Sequence, residues 1–163
     1  MKNSRKSDRQ LARAIGTSQP TVTRIRSRLE KEGYIKEYTM IPDFGKLGYH
    51  LLGLTFVKLK KMLDPVEIEK ARQITRESIV ENRFGIVMLE RGLGLRYDGV
   101  IMAFYKDYSD YSEHKKALKE YSFLELGDIE GFLISMDDIV HYRPLTFAGL
   151  AKQLLTAAEE SKK

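Results

Sequence analysis

Residues 8–35, DRQLARAIGTSQPTVTRIRSRLEKEGYI, read as two helices joined by a tight turn and followed by the start of a strand. Ser7 is a natural helix N-cap, and Gln10 three residues later completes a capping-box spacing. Leu11, Ala12 and Ile15 form an apolar stripe, and Gly16 stops the helix where a left-handed residue costs least. Thr17 and Ser18 can cap a second helix, expected over Gln19–Glu32 with Gly33 as its stop. Pro20 is tolerated in its first turn, where no intrahelical donor is required. At about 100° per residue, Val22, Ile25, Arg26 and Leu29 share one face, and the apolar three are expected to pack on Leu11 and Ile15. The opposite face carries Pro20, Thr23, Arg24, Ser27 and Lys31, flanked by Thr21 and Arg28. Tyr34–Thr39, rich in aromatic and β-branched residues, predicts a wing strand that Pro42 closes.

Charge singles out the same region. Residues 1–36 hold ten Lys or Arg and three acids, whereas residues 37–163 hold 18 basic and 20 acidic residues. A basic head on a near-neutral body points to a polyanion partner for the head alone. Short polar side chains at the start of a helix can reach base edges while Arg and Lys neutralise phosphates. On that ground Gln19, Thr21, Thr23 and Arg24 are the candidate base readers, with Ser18 and Ser27 beside them and Arg28 and Lys31 on phosphate. Arg26 lies nearer the packed face.

The rest of the composition removes several classes. The 163 residues contain no cysteine, so disulfides, thiolate zinc sites and cysteine nucleophiles are excluded. No apolar run approaches the ~20 residues of a membrane span, and the first ten residues lack the apolar stretch of a signal peptide, so a cytoplasmic location is expected. His50, His114 and His141 are too scattered for a metal motif, and His114 falls on the apolar face of its helix, as a core histidine does. Asp137-Asp138 reads as a turn, and no phosphate-loop or nucleophile-elbow motif is present. No catalytic residue, metal or cofactor is assigned.

From Tyr49 onward the period changes. Leu51–Lys60 is an expected strand, Asp64-Pro65 starts a helix to about Asn82, and Gly85–Arg91 is a second strand. A glycine loop over Gly92–Asp98 precedes a third strand at Gly99–Lys106, a helix at Tyr108–Tyr121 and a fourth strand from Asp128. This order is βαββαβ, a ferredoxin-like split unit in an α+β protein. The third strand is apolar on both faces, with Val100, Met102 and Phe104 on one and Ile101, Ala103 and Tyr105 on the other. Two helices cover one face of such a sheet, so the other face asks for a second copy, a two-fold homodimer. A tail helix from Phe147, with Leu150, Ala151, Leu154 and Ala158 in its stripe, is the competing cover.

The segments LARAIGTSQPTVTRIRSRLEKEGYIKEYTMIPDFGKLGY and GLRYDGVIMAFYKDYSDYSEHKKAL, in this order, resemble the Lrp/AsnC family of feast/famine transcriptional regulators. The resemblance implies a winged helix-turn-helix over residues 1–42, a linker over 43–49, a ferredoxin-like ligand-binding and oligomerisation domain over 50–146 and a C-terminal helix over 147–163. It implies double-stranded DNA as partner, and dimers that commonly assemble further into octamers. It also implies an amino acid or similar effector near the loop between the second and third strands, where Gly92, Gly94, Tyr97 and Asp98 match the family motif. The family's first helix would lie upstream of Asn3-Ser4-Arg5, so the DNA-binding domain is expected to have that helix missing or truncated. RGLGLRYDG reads as longer than the family's compact loop. Two other classes fit the same layout. One is a siroheme decarboxylase-like enzyme, which would need arginine and histidine lining a cleft in the body, where this chain is slightly acidic. The other is an effector-binding or assembly protein without DNA binding.

Overall fold

The computed structural model describes residues 6–81, 84–120 and 126–138, with single positions at 140, 145, 146, 149 and 153. The chain divides into two compact units, one holding the residues up to Pro42 and the other spanning Asp43–His141. The expected tail helix residues Phe147, Leu150, Ala151, Leu154 and Ala158 lie outside the described residues, as does His141.

In the first unit, helix α1 is Asp8–Ile15 and helix α2 is Gln19–Lys31. The capping box forms as its spacing predicts: Ser7 Oγ accepts from Gln10 N, and Gln10 Oε1 accepts from Ser7 N at 2.9 Å. Gly16 takes the left-handed conformation, φ 69°, and its N–H returns to Ala12 O. Ala12 and Val22 are buried, but Ile15 is 65% and Ile25 41% exposed. The expected stripe is therefore only partly buried, because two short helices can wall it from one side only. The expected wing strand at Tyr34–Thr39 is not formed, since none of these residues pairs in a sheet. A lone extended segment has no ladder to satisfy its backbone. This one folds back on α2: Ile35 N donates to Leu29 O at 3.1 Å, the Tyr38 hydroxyl donates to Glu30 Oε1 at 2.6 Å, and the Arg26 guanidinium lies 5.8 Å from the Tyr38 ring centre.

The second unit has the predicted order. Strand β1 is Leu51–Leu59, helix α3 Pro65–Glu81, strand β2 Ile86–Gly94, strand β3 Tyr97–Tyr105, helix α4 Tyr108–Glu120 and strand β4 Leu126–Ser135. The four strands form one sheet in the order β2-β3-β1-β4, every neighbouring pair antiparallel. Residues 43–49 are more than a linker. Asp43 accepts from Lys46 N at 3.2 Å to set a single 3-10 turn over Gly45–Leu47, and Phe44 stacks on Phe104 with ring centres 3.7 Å apart.

Register sorts the sheet into two faces. Ile101, Ala103 and Tyr105 of β3 stand opposite Thr55, Gly53 and Leu51 of β1, and Ile129, Gly131 and Leu133 continue that face on β4. Tyr111, His114 and Leu118 of α4 are buried here, in clusters with Ile101, Ile129, Ala103 and Tyr105. Two glycines make room for the aromatic rings. A Cβ on Gly53 would lie 2.7 Å from Tyr105 Cε2, and one on Gly131 would collide with the Tyr111 hydroxyl. Gly131→Ala should thus lower unfolding stability by about 1–3 kcal/mol, the usual cost of overpacking; an unchanged denaturant midpoint would contradict it.

The other face is less covered. Phe104 is buried beneath Phe44 and Tyr49. Leu54, Phe56, Val100 and Met102 are half-buried, while Phe132 is 62% and Ile134 39% exposed. No described helix is long and apolar enough to cross a membrane.

Candidate nucleic-acid interface

The exposed side of α2 is built by its cap and by two contacts to α1. Ser18 Oγ accepts from Thr21 N at 3.3 Å, and the Ser18 and Thr21 hydroxyls bond each other at 2.9 Å. This satisfies one orphan donor of the helix start. It also turns both hydroxyls toward the cap, leaving fewer free valences for a ligand than the sequence promised. The Thr23 hydroxyl lies 2.7 Å from Asp8 Oδ2 and 3.1 Å from Gln19 O, so its single proton is already committed inside the unit. Arg26 pairs with Asp8 at 2.7 Å and donates to Lys6 O at 3.4 Å, in keeping with its place near the packed face.

The remaining candidates stand open. Gln19, Arg24, Ser27, Arg28 and Lys31 are all exposed. Arg24, Arg28 and Lys31 recur at helical spacing along one face, and Arg24 and Arg28 flank Ile25 in a shallow, solvent-open depression. Arg28 has a long contact of 3.8 Å to Glu32, with both side chains about half exposed or more. A pair of that kind contributes little and leaves Arg28 available to a phosphate. This arrangement presents cations and one amide to a polyanion, with Glu32 at the helix end.

Asp8, Glu30 and Tyr38 were not legible as interface residues. Their contacts cross the turn or return from beyond α2, and no local spacing encodes them.

The second candidate cluster looks different from its sequence reading. Gly92–Asp98 is not a glycine loop: β2 runs on to Gly94 and β3 starts at Tyr97, leaving a two-residue hairpin turn of Leu95 and Arg96. The turn is compact, which corrects the expectation of a long loop. Both turn residues have positive φ, 52° and 68°, the pattern of a type I′ hairpin that matches strand twist. Neither residue is at ease there, since left-handed backbone costs a side-chain-bearing residue about 1–2 kcal/mol. Replacing Leu95-Arg96 by Asn-Gly should stabilise the fold by about that amount; a lower thermal midpoint would count against the assigned turn.

Gly92 and Gly94 thus lie in strand with open space where a side chain would go. Tyr97 packs on Phe56 at 5.7 Å, and burial together with a bond to Glu130 raises its phenol above the ordinary value. Asp98 Oδ2 accepts from Leu59 N at 2.8 Å, so this carboxylate ends the β1 strand. The four candidate effector residues share one end of the sheet without forming a closed cradle.

The histidines fall as their surroundings dictate. His50 Nδ1 lies 2.7 Å from Asp137 Oδ2 at the surface. His114 is buried between Phe84 and Tyr105. Among the described residues no His, Cys, Asp or Glu group has metal-binding geometry.

Comparisons with known proteins converge on the same architecture. A family model described as winged helix-turn-helix DNA-binding matches residues 1–36. An uncharacterised HTH-type transcriptional regulator of Pyrococcus abyssi is 35% identical over 99 residues, 61% of this chain and 60% of that protein. The aligned part therefore spans less than two thirds of that relative's length. An AsnC family transcriptional regulator from Agrobacterium tumefaciens has a similar structure, with TM-score 0.68 at 16% identity over 91% of this chain and 90% of that one. A Neisseria meningitidis transcriptional regulator, solved as its L-Met complex, gives TM-score 0.64 at 20% identity over 91% and 90%. The two structural likenesses speak for fold, and the helix-turn-helix match and the curated relative speak for sequence. Together with the capped α1–turn–α2 head and the βαββαβ sheet, they show a helix-turn-helix DNA-binding head joined to a sheet unit in a chain whose fold is similar to that of AsnC family transcriptional regulators.

Proposed function

We propose that this protein is a cytoplasmic transcription regulator that reads double-stranded DNA through α2, acts as a homodimer or a higher assembly of dimers, and answers to an amino acid or similar small effector. The observation that carries the reading is the exposed row of Arg24, Arg28 and Lys31, with Gln19 at the start of the same helix, on a head whose first 36 residues hold ten basic and three acidic side chains. Gln19 and Arg24 read base edges, and Arg28 and Lys31 neutralise phosphates. Two such helices in a dimer would meet successive major grooves about 34–36 Å apart.

Support for the dimer comes from the open sheet face, where Leu54, Phe56, Met102, Phe132 and Ile134 form an apolar surface that an antiparallel sheet does not leave to water at no cost. Support for an amino-acid effector is the L-Met complex of the Neisseria regulator, a protein of the same fold. Gly92, Gly94, Tyr97 and Asp98 stand at the matching hairpin.

The test is selection of bound DNA from a random pool, with and without free amino acids, followed by a salt series on the enriched site. Enrichment of a two-fold repeated motif is expected. Lys31→Ala should weaken all sequences alike and reduce the salt slope by about 0.9. No enrichment at any salt would overturn the reading.

A further inference from the structure

An acid in a DNA-binding head is electrostatically out of place, and Asp8 is the acid nearest the recognition helix start. It sits in the first turn of α1, where a carboxylate is favoured by the helix dipole. Its side chain is 18% exposed and its two oxygens are divided between two residues of α2. Oδ2 takes the Thr23 hydroxyl at 2.7 Å. Oδ1 is buried and accepts no hydrogen bond of regular geometry, so the Arg26 guanidinium 2.7 Å away is what compensates its charge. Arg26 is in turn held by Lys6 O at 3.4 Å and by the Tyr38 ring at 5.8 Å. Among the described residues of this unit only Ala12 and Val22 are buried apolar ones, a small contact between α1 and α2 that the Asp8 bonds supplement.

We propose that Asp8 is the positioning residue of the DNA-reading helix: by holding Thr23 and Arg26 from α1 it fixes the pose of α2 and withdraws both side chains from DNA, leaving Gln19 and Arg24 to determine base preference. The inference rests on the DNA-binding reading above and sharpens it, because it removes Thr23 from the base readers.

A positioning role for Asp8 and a purely electrostatic one predict opposite signs. Removing a negative charge from the head should, by phosphate electrostatics alone, tighten binding to every sequence. Removing a positioning group should instead cost discrimination, because base-edge contacts depend on placement whereas phosphate contacts tolerate reorientation.

The experiment measures the full chain and its Asp8→Asn and Asp8→Glu variants on the selected site and on scrambled DNA of equal length. For Asp8→Asn the ratio of specific to non-specific affinity should fall about tenfold or more, the scale of one or two lost base contacts, while binding to scrambled DNA holds or rises. Asp8→Glu keeps a carboxylate and should retain part of the ratio. Target affinity unchanged or increased in Asp8→Asn, at the same ratio, would overturn the proposal. A parallel loss on both DNAs would overturn it too, by showing that Asp8 only keeps the head folded. If the unmodified chain prefers no sequence, the DNA-reading function itself fails and this inference with it, an outcome distinct from the others because it precedes any substitution.

Discussion

Phe132→Asp should convert the proposed dimer to monomer, with the dissociation constant raised at least about 100-fold. Phe132 stands on β4 opposite Leu54 of β1, in the middle of the open sheet face, and is 62% exposed in the single chain. A change at so exposed a site should alter folding of the subunit by no more than about 0.5 kcal/mol. In a face-to-face dimer the same aspartate would be buried among Leu54, Phe56 and Met102 without a partner, and an unpaired buried charge costs several kcal/mol. The two effects separate cleanly: sedimentation velocity reads the association, and a denaturant titration reads the subunit. DNA affinity should fall in step, since linking two half-site readers multiplies their separate affinities. A variant that stays dimeric would show that the sheet face is not the interface, and a wild-type monomer would show the same.

Acidification should destabilise the second unit through His114. Burial holds this imidazole at about 4, against an ordinary 6.5, with Asp110 pulling weakly the other way. The Tyr105 hydroxyl lies 2.5 Å from Nδ1, and Phe84 stacks on the ring at 4.6 Å. Burial also pushes the Tyr105 phenol up to about 12, so a protonated hydroxyl faces Nδ1 throughout this range. The folded state thus binds the histidine proton less readily than the unfolded chain does. The resulting stability is fully present above pH 6.5 and is lost as pH falls toward 4. By linkage the loss is about 2 kcal/mol at pH 5 and about 3 kcal/mol at pH 4. Unfolding titrations across this range check it, with His114→Gln as the control that keeps a polar partner for Tyr105 and removes the proton. A wild-type curve as flat as that variant's from pH 6.5 to 5 would contradict the account.

Much of this fold is legible because local chemistry dictates it. Ser7 and Gln10 close the α1 cap, Gly16 takes the left-handed turn, and Ser18 caps α2, each from contacts within a few residues. The period-two pattern of Val100–Tyr105 places each side chain on its observed face. Errors arise where a residue's state depends on a partner far along the chain. Tyr34–Thr39 has strand composition but no ladder to join, so its contacts go to α2 instead. Gly92 and Gly94 look like loop residues, yet the pairing of Gly94 with Tyr97 carries β2 past both, through an irregularity after Arg91, and leaves the turn to Leu95 and Arg96, which sequence preference would not choose.

The candidate interface divides the same way. Helical spacing alone sets Arg24, Arg28 and Lys31 on one exposed face, because a helix repeats independently of what surrounds it. Whether a polar side chain on that helix is free is a tertiary matter. Thr23 and Arg24 are neighbours of equal promise in sequence, and only the fold, by bringing Asp8 within 2.7 Å of the Thr23 hydroxyl, commits one and leaves the other exposed. The sequence by itself determined the two head helices, the βαββαβ order and the basic helix, since these follow from caps, periodicity and charge. The tertiary structure decided which side chains remain available to a partner, because that depends on contacts between residues 15 or more apart, such as Asp8 with Thr23 and Asp98 with Leu59.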